Sequence, residues 1–209
     1  MHVFLNSCLG LLLGLGLTHA AHAAGCPGDF NNDDMVTVDE ILTTVNNALL
    51  GCPAPQSRFV QNPDSTITDS STGLQWEAKT DDDSIHDVHR TFRWSAGSAF
   101  EPNGSVFTEF LVELNTVPCY ADHCDWRLPT AAELQALVDH ARFAPAADPV
   151  FNHLCVEGCS VCSCTALDYY WSTPGLADLP DSAWAVDFNY GFVNGYDKTL
   201  PFPARAVRP

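Results

Sequence analysis

The stretch Asp125–Leu134, which reads DWRLPTAAEL, carries the clearest local structural signal in the chain. Thr130 is a favourable helix N-cap, because its hydroxyl can accept a hydrogen bond from a backbone N–H in the first turn. Glu133 stands where a carboxylate can reach back to the Thr130 amide, which completes a capping box. Leu134 and the apolar residues that follow at helical spacing predict a helix over 131–142 with one apolar face.

Alternation of apolar and polar residues predicts short antiparallel strands on both sides of this helix. The predicted strands cover 59–60, 66–68, 74–76, 184–188, 192–196 and 204–207. Apolar residues within 107–114 recur at helical spacing and predict a second short helix. Trp126 is expected in the core. Trp184 and Val186 are expected to share one strand face, which Trp171 should join.

The acidic composition limits the classes of partner. Among 209 residues the formal net charge is −17, and Lys and Arg are scattered along the chain. Such a surface repels nucleic acid, anionic lipid and polyanionic glycans. We therefore expect no nucleic acid partner.

Residues 1–23 have the pattern of a secretory signal peptide. The apolar run Leu9–Leu17 is short, and Ala21–Ala23 ends it with a small-x-small cleavage pattern. This predicts a secreted, periplasmic or cell-surface protein with no integral membrane span. The alternative is a lipoprotein that is acylated and anchored through Cys26.

The cysteines predict disulfide bonds. One of the nine lies in the signal peptide, and an even number in an exported chain favours disulfides over free thiols. The eight are Cys26, Cys52, Cys119, Cys124, Cys155, Cys159, Cys162 and Cys164. Cys119 with Cys124 is the favoured local pair, and the other pairings stay open. The dense run Cys155–Cys164 has a zinc–thiolate site as its alternative interpretation.

The segment Asp29–Glu40 has the ligand spacing of a twelve-residue calcium loop, with oxygen ligands at alternate positions. The expected ligands are Asp29, Asn31, Asp33, the Met35 carbonyl, Thr37 and a bidentate Glu40. Asp34 stands where such loops normally have glycine. A helix follows and ends near Gly51, and a Cys26–Cys52 disulfide would stabilise the unit by about 3 to 4 kcal/mol. The alternative is an acidic helix start without metal.

This N-terminal unit, residues 24–52, resembles half of a dockerin repeat, an EF-hand-like loop and helix. Only one such repeat is found, so cohesin binding is not implied. Residues 53–57 form a Pro-rich linker, since Pro53 and Pro55 stand in a stretch without apolar periodicity.

Five motifs in the remaining residues, 58–209, occur in an order that resembles the Lcl C-terminal domain family of collagen-like adhesins. They are Thr68–Asp69 with Gly73–Trp76, Asp125–Thr130 with Glu133–Leu134, Asp148–Phe151, Tyr170–Thr173 and Ala183–Phe188. The resemblance implies an α+β, C-type-lectin-like fold with antiparallel strands and two short helices. The chain departs from the family at Arg205–Arg208, where the family commonly has a cysteine.

Catalytic motifs such as GxSxG, HExxH or a phosphate-binding glycine loop are absent from the sequence. We therefore expect a non-enzymatic, secreted or cell-surface recognition or adhesion protein that binds a glycan or a surface protein. The candidate ligand-binding residues are Tyr169, Tyr190, Asn194 and Tyr196. The alternatives are an oxidase of the formylglycine-generating type, with Cys159 and Cys162 as its reactive pair, and a structural component of a surface assembly.

Overall fold

The computed structural model describes residues 37–38, 40–42, 45, 57–97 and 100–209. The chain divides into two units, Met1–Gln56 and Ser57–Pro209. Several predicted features lie outside the described residues: the signal peptide 1–23, linker residues 53–56, Asp29, Asn31, Asp33, Met35, Cys26 and Cys52. Those features and the domain boundaries stay predictions.

The first unit contains the start of a helix after Thr37. Thr37 donates hydrogen bonds from its backbone N–H (2.8 Å) and its hydroxyl (2.9 Å) to Oε2 of Glu40. The Glu40 N–H in turn donates to the Thr37 hydroxyl over 3.4 Å. This reciprocal arrangement is a capping box with Thr37 as the N-cap, so the helix begins at Val38 and Glu40, which the sequence predicts to open it, lies in its first turn.

The second unit combines short antiparallel strands with two short helices, which agrees with an α+β class. The strands are β1 (Phe59–Gln61), β2 (Thr66–Asp69), β3 (Gln75–Glu77), β4 (Phe92–Arg93), β5 (Tyr169–Gly175), β6 (Ser182–Asp187), β7 (Val193–Asp197), β8 (Pro201–Phe202) and β9 (Val207–Arg208). They form sheets with the orders β1-β2-β3-β9, β4-β8 and β5-β6-β7. The helices are α1 (Leu111–Leu114), which continues a π-helical turn at Val106–Phe110, and α2 (Ala131–Gln135).

The two ends of the second unit meet in the first sheet. Strand β9 pairs with β3, with Trp76 opposite Val207. The stretch that precedes α2 also pairs with β9, because Arg127 and Val207 exchange two backbone hydrogen bonds of 3.0 Å. Trp126 is buried in the core, as predicted, and its indole N–H donates to the Tyr120 carbonyl over 2.9 Å.

The β5-β6-β7 sheet lies between two apolar clusters. Trp171 and Ala185 contribute to a cluster on one face, whereas Tyr170 and Val186 contribute to a cluster on the other. Adjacent residues of a strand point to opposite faces, so each strand supplies both clusters. The expectation that Trp171 shares a face with Val186 is therefore wrong. Trp184 is 38% exposed and only partly packed.

Helix α2 begins as predicted and ends earlier. The Thr130–Glu133 capping box is present, but the helix stops at Gln135 and not at residue 142. Beyond it, Val138 forms a β-bridge with Ala147. The predicted length is wrong because this tertiary pairing replaces further helical turns.

Candidate functional site

Two exposed aromatic rings lie at the turn between β6 and β7, and a third lies on the neighbouring loop that carries Phe143. We call Phe143, Tyr190 and Phe192 the aromatic rim; they are 76%, 59% and 63% exposed. The ring centroids of Tyr190 and Phe192 are 6.4 Å apart. Large apolar rings in water mark interaction surfaces when they are held together.

Backbone hydrogen bonds hold the two loops of the rim together. The Ala144 N–H donates to the Asn189 carbonyl over 3.0 Å, and the Ala146 N–H donates to the Phe188 carbonyl over 2.7 Å. Gly191 has a φ of +84°, and a Cβ there would lie 2.5 Å from a Val138 methyl carbon. Only glycine fits this turn, so the loop that carries Phe143 packs closely on the turn that carries Tyr190.

A cleft of about 470 Å³ adjoins Phe143. Its lining combines apolar and polar groups: Phe143, Pro145, Pro149, Arg142 and Asn152. The Arg142 guanidinium pairs with Asp139 at 3.0 Å on the surface. An apolar wall with a few convergent polar groups is the usual composition of a small-ligand site.

A second unusual region is a network of buried charges below β3. Glu77 and Lys79 are fully buried, and Glu77 Oε1 lies 3.1 Å from Lys79 Nζ and 2.8 Å from His86 Nδ1. The Arg205 side chain, also buried, donates to the backbone carbonyls of Glu77 (3.2 Å) and Cys164 (2.5 Å). We call Glu77, Lys79, His86 and Arg205 the buried charge network.

Electrostatics favour the ionised form of Glu77. Burial by itself disfavours the Glu77 carboxylate, but the charge of Lys79 and the hydrogen bond with His86 outweigh it, so the pKa of Glu77 is lowered. Burial lowers the pKa of Lys79, and Glu77 opposes that effect. Both members of the Glu77–Lys79 pair are buried, so neither is exposed to an external ligand.

Residues 65–208 match the sequence profile of the Lcl C-terminal domain. The chain belongs to the Lcl C-terminal domain family. The family indicates a surface or adhesion-type function. No curated protein and no solved structure matches the chain.

The motifs that identify the Lcl C-terminal domain all have structural roles here. Arg127 forms two hydrogen bonds of 2.9 and 2.7 Å with Glu133, the capping residue of α2. Asp148 caps the 3₁₀ turn at Pro149–Asn152. The Trp171 indole N–H donates to the Phe92 carbonyl over 2.8 Å. The aromatic rim lies outside these motifs, so the motifs account for the fold and leave the rim without a structural explanation.

The four sequence-predicted ligand residues of the Lcl C-terminal domain separate into two places. Tyr169 and Tyr196 pack together, with centroids 4.5 Å apart, and both contact Phe202. Hydrogen bonding with Tyr196 raises the pKa of Tyr169 to about 12. Tyr190 belongs to the aromatic rim. Asn194 is exposed on β7.

Sequence reasoning missed Phe143, Phe192, Lys79 and Arg205. Alternation continued beyond the end of β3 would place Lys79 outward, and no local pattern indicates that both faces of this segment are covered. Phe143 follows a stretch that reads as helix. Of the missed residues, Phe192 alone had a sequence signal, because it is a large apolar residue next to the predicted turn at Gly191.

The cysteines of the Lcl C-terminal domain form three disulfides among the described residues: Cys119–Cys124, Cys155–Cys164 and Cys159–Cys162. The favoured Cys119–Cys124 pair is thereby confirmed. The last two bonds lie in one compact cluster, which packs against Val88.

The acidic segment 81–83 caps its own loop. Asp82 Oδ1 accepts from the Thr80 hydroxyl over 2.7 Å, and Asp87 Oδ2 accepts from the Asp83 N–H over 2.8 Å.

No helix among the described residues of this protein has the length and apolar character needed to cross a membrane.

Proposed function

We propose that this protein is an exported, non-enzymatic recognition or adhesion protein whose C-type-lectin-like domain binds a glycan or surface protein through the aromatic rim. One observation carries the proposal. Phe143, Tyr190 and Phe192 are the exposed rings of two loops that are joined by backbone hydrogen bonds beside a cleft. Aromatic faces held in place in this way are suited to stacking on apolar faces of a ligand.

Charge narrows the class of ligand. With a net charge of −17, the chain disfavours polyanionic glycans, so a neutral glycan or a basic protein surface is the better fit. Arg142 and Asn152 in the cleft offer hydrogen-bond donors for hydroxyl or carbonyl oxygens. Asn194 and the Tyr169–Tyr196 pair extend the candidate surface along β7.

The test is a screen of the mature chain against neutral and anionic glycans and surface proteins, with calcium and with chelator. For the ligand found, Tyr190→Ala and Phe143→Ala should each weaken binding at least tenfold, since central aromatic contacts dominate such interfaces. Val117→Ala removes an exposed apolar side chain elsewhere and serves as the control. Undiminished binding by both rim variants would refute the assignment of the site.

The oxidase alternative needs Cys159 and Cys162 as a reactive pair. Cys162 is buried and is bonded to Cys159. Thiol titration of the native protein separates the two hypotheses. Complete oxidation would contradict the oxidase, which needs a free thiol at one of these positions.

We further propose that the N-terminal unit binds one calcium ion, as the oxygen spacing of Asp29–Glu40 indicates. The capping box of Thr37 and Glu40 supports this, because it places the Glu40 carboxylate at the start of the helix, where the last ligand of such a loop belongs. A carboxylate has lone pairs for both the cap and a cation. Calorimetric titration should show one site that Glu40→Ala removes and Glu113→Ala leaves intact; no binding heat would refute it.

A further inference from the structure

The cysteine cluster has the dimensions of a metal site as well as those of two disulfides. Between the two bonds, Sγ of Cys159 and Sγ of Cys164 lie 3.8 Å apart, and Sγ of Cys162 and Sγ of Cys164 lie 3.9 Å apart. A zinc ion bound tetrahedrally by thiolates at about 2.3 Å requires sulfur–sulfur separations of about 3.8 Å. The sulfurs of Cys159, Cys162 and Cys164 all lie within 4.8 Å of one another, and Cys155 must approach them to complete the tetrahedron.

We propose that Cys155, Cys159, Cys162 and Cys164 form a redox-gated zinc site. In the oxidised state the four sulfurs are used in two disulfides. When a dithiol reductant opens both bonds, the four thiolates bind one Zn²⁺. Each bonded pair must then separate by about 1.7 Å, which rotation about the side-chain bonds can supply.

The surroundings of the cluster suit a charged thiolate centre. The Arg205 guanidinium donates to the Cys164 carbonyl over 2.5 Å, which places a buried positive charge beside the cluster. Cys164 is itself anchored, because its N–H donates to the Lys79 carbonyl over 2.9 Å. A centre of four thiolates and Zn²⁺ carries two negative charges, which a neighbouring cation stabilises.

An acidic cleft offers a route for the cation. A cavity of about 370 Å³ is lined by Asp81, Asp82, Asp83, Glu157 and Gly158. It adjoins the cluster, since the Asp81 N–H donates to the Cys159 carbonyl over 2.9 Å. Carboxylates at the mouth of a site raise the local concentration of cations.

The sulfur positions also allow the two disulfides to be reduced one after the other by thiol–disulfide exchange. A dithiol attacks the half-buried Sγ of Cys159, and its second sulfur then closes a ring, which leaves Cys159 and Cys162 as thiols and the reductant as a cyclic disulfide. The Cys159 thiolate next attacks Sγ of Cys164, 3.8 Å away, and Cys155 leaves as a thiolate. A second dithiol reduces the new Cys159–Cys164 bond at Cys159.

In sum, two dithiols are oxidised and four cysteine thiols form. Zn²⁺ then displaces the protons of the thiols that it binds, and these protons pass to solvent. Reoxidation would expel the metal. This inference does not depend on the proposed recognition function.

The test uses Co²⁺ as a spectroscopic probe on the full mature chain, reduced without oxygen by a phosphine that does not compete for metal. We expect one Co²⁺ per chain with the visible absorption of tetrahedral thiolate coordination, and its loss on addition of Zn²⁺. The oxidised protein should show no such absorption. Cys159→Ser with Cys162→Ser should abolish it, whereas Cys119→Ser with Cys124→Ser should retain it.

A protection experiment on the unmutated protein covers the case in which a variant fails to fold. In the reduced, zinc-loaded chain, an alkylating reagent should modify Cys119 and Cys124 and spare the four cluster cysteines. Peptide mass mapping distinguishes these outcomes. Absence of Co²⁺ absorption from the reduced wild type, or alkylation of the cluster in the presence of zinc, would overturn the proposal.

Discussion

The buried charge network and the aromatic rim invert the usual distribution of polar and apolar groups. Lys79 is 1% exposed, whereas Phe143 is 76% exposed. In the network every charged group has a hydrogen-bond partner, and in the rim each ring is exposed on a loop that backbone hydrogen bonds hold. The difference indicates that the network stabilises the fold and that the rim is available for a partner.

The buried charge network and the aromatic rim also differ in where they lie in the fold. The network lies at the junction of β3, β9 and the cysteine cluster, where the Ala206 N–H donates to Glu77 Oε2 over 3.0 Å. The rim lies on connecting segments, where binding residues are commonly placed. A substitution in the buried charge network should therefore change stability, and a substitution in the aromatic rim should change ligand binding.

Lys79→Met should have the largest effect on stability. It removes one partner of a fully buried ion pair and leaves the Glu77 carboxylate with less compensation, which should lower the free energy of unfolding by about 3 to 5 kcal/mol. Denaturant titration of the wild type and the variant measures this change in the free energy of unfolding. Arg142→Met, which breaks an exposed pair, should cost about 0.5 kcal/mol or less; similar costs for the two variants would remove the distinction between the regions.

The pair of Arg127 and Glu133 should make stability depend on pH. The hydrogen bond from Arg127 lowers the pKa of Glu133 to about 2, from about 4.3 in an unfolded chain. Its contribution is therefore complete above about pH 4.3 and is lost as the pH falls towards 2.

Glu133→Gln should remove this contribution. Because the pair is partly solvated, we expect a cost of about 1 to 2 kcal/mol at neutral pH that shrinks towards pH 2. Unfolding curves across this range measure the difference, with the exposed Glu113→Gln as control. A difference between wild type and variant that does not change with pH would contradict the assignment.

Thr130→Ala should cost about 1 kcal/mol through loss of the α2 cap. The Thr130 hydroxyl accepts from the Glu133 N–H over 3.1 Å, and the variant leaves that donor without its partner. The exposed Thr91→Ala provides the baseline in the same thermal or denaturant measurement. Since the motif has a structural role, weaker ligand binding at unchanged stability would show that this role is misassigned.

Tyr190→Ala should have the smallest effect on stability, within about 0.5 kcal/mol, because an exposed side chain is removed. Together with the loss of binding expected for this variant, it completes the contrast with Lys79→Met. Calorimetric melting measures the stability. A melting temperature lowered as far as that of Lys79→Met would mean that the rim belongs to the core.

Several features followed from sequence because their causes are local. The Thr130–Glu133 capping box and the Cys119–Cys124 pairing each depend on residues within a few positions of one another. The order of the family motifs likewise led to the correct family. Of the candidate ligand residues, Tyr190 was placed at an exposed turn by its neighbours in sequence.

Tertiary structure alone decided the end of α2, the face of Trp171 and the partners of Lys79 and Arg205. Each depends on residues distant in sequence: Val138 pairs with Ala147 instead of extending the helix, and Arg205 reaches the Cys164 carbonyl across the fold. Secondary-structure propensity and the alternation of apolar and polar residues describe one segment at a time. They therefore cannot show that another part of the chain covers a strand face whose side chains are polar. The sequence thus determined the elements and the family, while packing between distant segments decided which charges are buried and which rings face solvent.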